Sequence, residues 1–207
     1  MVKNMPESVV NQILARISKA GRGVLFFTDS FISYGSTEAV KKALQRLTMA
    51  GELQRVAHGI YVRPKTDSII GNITPGIDEI AKALARRDKA RIVPTGSYAL
   101  NRLGLSTQIP LNVVYLTDGA ARKIKIGNRS ITFKKTTPKN VAAVGEISGL
   151  AIQALRAIGK ENVTEEEIKK IQELLKNETP TKLEHDIRLA PAWIREIMKP
   201  ILKTFRI

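Results

Sequence analysis

The chain has 207 residues, enough for one ordinary domain or two small ones, and 43% hydrophobic against 26% charged residues excludes wholesale disorder. A net charge of +15 makes a polyanion the simplest partner, because each phosphate that a cation neutralises releases condensed counterions. The absence of cysteine excludes disulfides, thiolate nucleophiles and cysteine-ligated zinc.

The charge is unevenly spread. Residues 1–66 carry 10 Lys and Arg against 4 Asp and Glu, residues 67–140 carry 13 against 5, and residues 141–207 carry 11 against 10. A polyanion-facing surface is therefore expected on the first two thirds, and an ordinary solvated helical region on the last. The opening residues Met1 to Pro6 lead into an amphipathic helix rather than a hydrophobic signal core, and no apolar run approaches membrane-spanning length. The expectation is a cytoplasmic protein without membrane contact.

Val9, Val10, Ile13, Leu14 and Ile17 repeat at helical spacing, with Pro6 suited to the helix start and Gly21 to its end. Gly23 to Phe27 is short and β-prone. Thr28 to Ile32 offers capping side chains for a brief second helix, followed by a turn at Tyr34-Gly35. Ser36 is a good N-cap for a third helix, whose apolar stripe is Val40, Ala43, Leu44 and Leu47 and whose end falls at Gly51. Two extended runs, Leu53 to Ala57 and Ile60 to Arg63, flank a two-residue turn at His58-Gly59, and Pro64 stops the sheet. Helix, short helix, basic helix and hairpin is the order of a winged helix-turn-helix, predicted over 1–66.

Residues 67–77 have the composition of a linker or ordered loop, and a second domain is expected over 78–207. Ile80 to Ala85 reads as helix, Ala90 to Val93 as a buried strand, Tyr98 to Leu103 as a short helix and Val113 to Leu116 as a strand. Lys123 to Ile126 and Ser130 to Lys134 form a hairpin about Gly127-Asn128. From Gly145 the pattern is helical: Ile147 to Ile158, then Thr164 with Glu167 as a capping box for a helix to Leu175, then starts at Thr179-Pro180 and Ala190-Pro191. Trp193, Ile194, Ile197, Met198, Ile201, Leu202 and Phe205 form an apolar face that either closes the second domain or meets a partner. The fold class is thus α+β, an N-terminal winged helix-turn-helix followed by a small α+β domain with C-terminal helices.

A major groove accepts one helix, whose exposed side chains must supply phosphate donors and base-edge readers. The Ser36 to Met49 helix offers Lys41, Lys42 and Arg46 for charge, Gln45 to pair with adenine, Arg46 with guanine, and Ser36 and Thr37 at its start to reach a phosphate or a thymine methyl. Two or three basic residues occur on any surface helix, but here Arg55, His58 and Arg63 add donors along the hairpin, as minor-groove or phosphate contact requires. His58 at a hairpin tip is more often a solvated turn residue than a specific reader. Beyond the wing, Arg86, Arg87, Lys89, Arg91, Arg122, Lys123, Lys125, Arg129, Lys134 and Lys135 make a second basic surface able to extend the footprint, cover an acidic partner or bind RNA.

Catalytic readings find little footing. There is no phosphate-binding loop, and Gly21-Arg22-Gly23 is only a turn. His58 and His185 stand far apart in sequence, so a metal site at His185 would need more than Glu184 and Asp186. Glu167-Ile168-Lys169 mimics the end of a nuclease motif but lies in a helical, charge-balanced region.

The residues Ala39 to Leu47, Gly51-Glu52-Leu53 and Arg55 to Val62 resemble the antitoxins of AbiE-type abortive-infection, or type IV toxin–antitoxin, systems and related winged-helix proteins. The resemblance resumes at Pro94 to Asn101, Leu103 to Gln108 and Tyr115 to Gly119, so it covers about residues 7–140. It implies a promoter-binding autorepressor, with Thr37, Lys41, Lys42, Gln45 and Arg46 on the DNA-reading helix. It also implies that the second domain counters a nucleotidyltransferase-like toxin without a stable complex. The expectation is a non-enzymatic regulator of its own promoter that binds double-stranded DNA as a homodimer or as cooperating monomers, with no metal and no cofactor. The alternative is an interaction protein whose basic second domain binds RNA or an acidic protein.

Overall fold

The computed structural model describes residues 8–69 and 71–205, without the side chain of Asn72. Pro6, the expected helix start, lies outside the described residues. The chain divides into two compact units, residues 1–83 with 124–127, and residues 84–123 with 128–207. The class is α+β.

In the first unit, α1 (Val9–Lys19) begins at Ser8, whose hydroxyl accepts the Asn11 N–H at 3.3 Å. β1 (Leu25–Phe27) follows, then a 3-10 helix over Thr28–Tyr34, then α2 (Thr37–Met49). The expected second helix is therefore of the tighter 3-10 form. None of its side chains caps it, because Phe27 stands at the cap position; Phe31, fully buried, anchors it instead. β2 (Gln54–Ala57) and β3 (Ile60–Val62) form an antiparallel hairpin, and β1 pairs on the far side of β3, so the sheet order is β1-β3-β2. Ile13 and Ile17 of α1 and Val40, Ala43, Leu44 and Leu47 of α2 share one core with Phe26, Phe31 and Leu53. A buried stripe at helical spacing fixes the rotation of α2 and so decides which side chains are left outside.

The segment expected as a linker over 67–77 is partly regular: β4 (Lys65–Asp67) and β5 (Gly71–Ile73) pair as a separate two-stranded hairpin. Composition alone reads such a turn-rich stretch as loop, because a three-residue strand has too few positions to show alternation. α3 (Ile77–Arg87) comes next, and the division between the units falls inside it, after Ala83, rather than in the 67–77 segment.

β6 (Ile92–Thr95), α4 (Ser97–Arg102), β7 (Asn112–Thr117), β8 (Arg122–Ile126) and β9 (Arg129–Lys135) supply a four-stranded sheet of order β6-β7-β9-β8. β6 and β7 are antiparallel, whereas β7 and β9 are parallel, with Asn112 opposite Ser130. Alternation buries Val113, Tyr115, Ile131 and Phe133, and Tyr98 of α4 meets Tyr115 edge-on at 6.0 Å. A second 3-10 helix (Pro138–Val141) leads to the helical part: α5 (Glu146–Ile158), α6 (Glu165–Leu175), α7 (Pro180–Leu189) and α8 (Ala192–Thr204). The capping box at Thr164 and Glu167 is complete in both directions. Ile194, Met198 and Ile201 are buried in a core with Leu155, Ile171, Leu175, Leu183 and Ile187, so this face of α8 closes the unit.

Candidate nucleic-acid interface

The Ser36 hydroxyl accepts the Ala39 N–H at 3.2 Å and starts α2 where expected; Gly51, at φ 77°, lets the chain leave after it. With its apolar stripe turned inward, Ser36, Thr37, Lys41, Lys42, Gln45 and Arg46 are all exposed. Thr37, Lys41 and Gln45 follow one i, i+4 row, and Lys42 and Arg46 the adjacent one. One acidic residue, Glu38, shares this exposed side, in the first turn where a carboxylate suits the positive end of the helix dipole.

The β2–β3 turn is His58-Gly59, with Gly59 at φ 68°. The Thr28 N–H donates to the Gly59 carbonyl at 3.1 Å and fastens the tip of the hairpin to the start of the 3-10 helix. On β2, Arg55 Nη2 lies 3.0 Å from His58 Nδ1, and Arg55 Nε donates to the Ala57 carbonyl at 3.4 Å. A guanidinium only donates, so Nδ1 accepts and the neutral imidazole carries its proton on Nε2, as a further donor. The two hairpin residues expected to act separately are thus one hydrogen-bonded pair.

Between α2 and the hairpin lies a cleft of about 420 Å³. Lys41 and Gln45 line it from the helix, Arg55, His58 and Tyr61 from the strands and turn, and Thr28 from the 3-10 helix; no carboxylate is among its described lining residues. Thr28 and Met49 also belong to this cleft, and no sequence signal marked them: Thr28 reads as a cap, and Met49, 82% exposed, reads as the end of a helix.

Arg63 has a different place from the one expected. Its Nη1 donates to the Ser18 carbonyl at 2.9 Å and also to the Ala20 carbonyl, so it satisfies acceptors at the end of α1. A cation there also suits the negative end of the helix dipole. Gly21, expected as the stop of α1, does not adopt a left-handed conformation; Ala20 is the cap residue, in an extended conformation.

The second basic surface is partly compensated. Arg87 donates to Asp88 at 2.8 Å, Arg122 pairs with the same carboxylate while stacking 5.2 Å above the Phe133 ring, and Arg91 holds Asp118 at 2.8 Å. Burial works to raise the Asp88 pKa, but the hydrogen bonds from Arg87 and Arg122 outweigh it and hold the group below the usual carboxylate range. The Asp118 carboxyl is also held low, by the side-chain hydrogen bond from Arg91 and then by the Arg91 backbone N–H. Arg129 is half-buried, whereas Arg86, Lys89, Lys123, Lys125, Lys134 and Lys135 are exposed.

The residues about His185 form a polar cluster of another kind. Asp186, fully buried, accepts the backbone N–H of Val144 at 2.9 Å and of Gly145 at 2.8 Å, and the Ser148 hydroxyl. Glu178 accepts the Ile147 N–H at 2.9 Å and the Ser148 N–H at 3.3 Å. Two carboxylates brought in from α7 and the turn before it therefore satisfy the orphan donors at the start of α5. Gly145 is needed by close approach, since a Cβ there would collide with Ser148 Oγ and Glu178 Oε2. A nucleophilic reading of Ser148, Asp186 and His185 fails on geometry: Ser148 is fully buried and bonded to the carboxylate, and the imidazole meets Asp186 at 2.8 Å from a half-exposed position. Glu167 is engaged in its capping box. Among the described residues no group of three or more His, Asp or Glu could hold a metal ion, and no helix is long and apolar enough to cross a membrane.

Fold and surface together define an α+β protein whose first unit presents an uncovered cationic helix beside a hairpin. Residues 12–183 match the family of unknown function DUF6088, and the chain belongs to that family. Among solved structures it is similar to the RV2827C protein from Mycobacterium tuberculosis, at 12% identity, over 96% of this chain and 82% of that one, with a TM-score of 0.44. No curated protein matches it.

Proposed function

We propose that this protein is a non-enzymatic regulator that binds duplex DNA through a winged helix-turn-helix, with α2 in the major groove and the β2–β3 hairpin as the wing. The observation that carries this reading is the cleft between them: a helix face bearing Thr37, Lys41, Lys42, Gln45 and Arg46 stands beside the Arg55–His58 pair, and no described carboxylate lines the space between. Cations in that arrangement are matched to phosphates on either side of a groove, and Gln45 and Arg46 to base edges within it. The target is the protein's own promoter, bound as a homodimer or as cooperating monomers, in keeping with the resemblance to type IV antitoxins. On that resemblance the second unit counters a nucleotidyltransferase-like toxin.

The test is binding of the full chain to its upstream promoter duplex and to a scrambled duplex across a salt series, with a Lys42→Ala/Arg46→Ala variant alongside. Selective, salt-sensitive binding that the variant loses is the expected result. Equal binding of both duplexes, unchanged in the variant, would overturn the reading and favour the exposed Lys123, Lys125, Lys134 and Lys135 as the polyanion surface.

A further inference from the structure

We propose that the narrow cleft between the 3-10 helix Pro138–Val141 and α5 is a seat for a phosphoryl group, held by Arg156 and Lys139. It lies in the second unit and stands apart from the duplex-binding reading.

Arg156, in the last turn of α5, is half-buried, and its Nη1 donates to the Asn140 side-chain oxygen at 3.0 Å. That acceptor is a neutral amide, itself oriented by Asn140 Nδ2 donating to Thr136 Oγ1 at 2.8 Å. Arg87, Arg91 and Arg122 each face an aspartate; among the described residues no carboxylate pairs with Arg156 or lines its cleft. Burial alone pushes the Arg156 pKa below the ordinary guanidinium value, the mark of a charge taken partly out of water without an opposite charge in return. An anion at the cleft supplies that opposite charge.

The shape suits a small oxyanion. The cleft is narrow, of about 10 Å³, enough to seat an oxygen of an anion. A tetrahedral oxyanion can put one oxygen into that seat and leave its others at the mouth, where Lys139 is exposed. Gln153, only 3% exposed, lines the wall, with Nε2 directed to the Asn140 carbonyl at 3.5 Å and Oε1 accepting from Thr95 at 3.4 Å. Ala143, Ile152 and Leu189 supply the apolar part of the lining. An arginine and a lysine lining one small seat supply the donor types that phosphoryl oxygens take. The source is either a terminal phosphate, as on a nucleotide, or the backbone phosphates of a nucleic-acid strand.

The experiment is a titration of the full chain with inorganic phosphate at constant ionic strength, chloride replacing phosphate in the control, followed by backbone amide NMR shifts of α5 and of residues 138–144. A saturable shift is expected with phosphate and not with chloride. Affinity should fall roughly tenfold in Arg156→Gln, which keeps a donor to Asn140, and in Lys139→Ala, whose exposed side chain leaves folding untouched. Shifts that are the same in chloride, that never saturate, or that persist undiminished in Lys139→Ala overturn the site, whether or not Arg156→Gln folds. Adenosine monophosphate and a 5′-hydroxyl thymidine oligonucleotide then separate the sources: saturation by the first alone assigns a terminal phosphate, and saturation by the second assigns the strand backbone.

Discussion

On α2 the cations Lys41, Lys42 and Arg46 stand on an exposed face beside a cleft that no described carboxylate lines, whereas around α3 and β8 Arg87 and Arg122 converge on Asp88, and Arg91 on Asp118. The formal charge is of one kind in both regions. In the first, none of the described lining residues of the cleft is a carboxylate; in the second, three arginines are already paired with aspartates and the lysines of β8 and β9 remain exposed. Net charge by segment therefore measures how many cations a region has and says nothing about which are already paired. The same division runs through the hairpin, where Arg55 faces the cleft and Arg63, eight positions on, caps α1.

The largest effect should come from the scaffold side of this contrast. Asp186→Ala removes a buried acceptor from two backbone N–H groups and a hydroxyl, and should cost on the order of 3 kcal/mol in urea unfolding, with duplex affinity of the folded protein unchanged. A loss of duplex binding without loss of stability would mean that the polar cluster belongs to a ligand site. On the ligand side, Lys42→Ala/Arg46→Ala should lower promoter affinity about 10- to 100-fold near physiological salt. It should also reduce the salt slope by about 0.9, since Lys42 meets a phosphate and Arg46 a base edge, with the unfolding midpoint unchanged. An unaltered slope breaks the comparison at its first term.

Arg122→Ala sharpens the second term. It breaks the pair with Asp88 and the stacking on Phe133, so a stability loss of about 1 kcal/mol is expected with duplex affinity held within about twofold. The reverse pattern would make this surface part of the footprint. The smallest effect lies in acid. A carboxylate whose folded pKa is depressed contributes stability that is present above its unfolded value, about 3.9, and lost as pH falls through the lower folded one. Asp118 is such a group by virtue of Arg91. In Arg91→Ala the contribution is already missing at neutral pH, so the thermal midpoint should fall less between about pH 5 and pH 2 than in the parent chain.

Much of the local structure was legible residue by residue. Ser36 and Gly51 bracket α2, Thr164 and Glu167 form their box, and the alternation about Gly127-Asn128 marks a hairpin, because each depends on neighbours within a few positions. The face of α2 was legible too, since a stripe at 3.6-residue spacing fixes its own opposite side. The 3-10 form of Thr28–Tyr34 was not, for its geometry is set by burial of Phe31 rather than by capping side chains. Nor was the pairing within Lys65 to Ile73, or the bond between Arg55 and His58 that joins two expected contact residues into one.

What the sequence by itself determined is the inventory: an α+β chain, most of its helices and strands, and a cationic helix face whose exposure follows from periodicity. Tertiary structure alone decided which charges are left over. Arg63 finds its acceptors at Ser18 and Ala20, Asp186 its donors at Val144 and Gly145, and Arg156 its neutral partner at Asn140, across separations of 43 and 45, 41 and 42, and 16 residues. Local spacing carries no record of such meetings, because they arise only when packing of the cores brings distant backbone and side chains within hydrogen-bond reach, and burial then sets what each charge is worth.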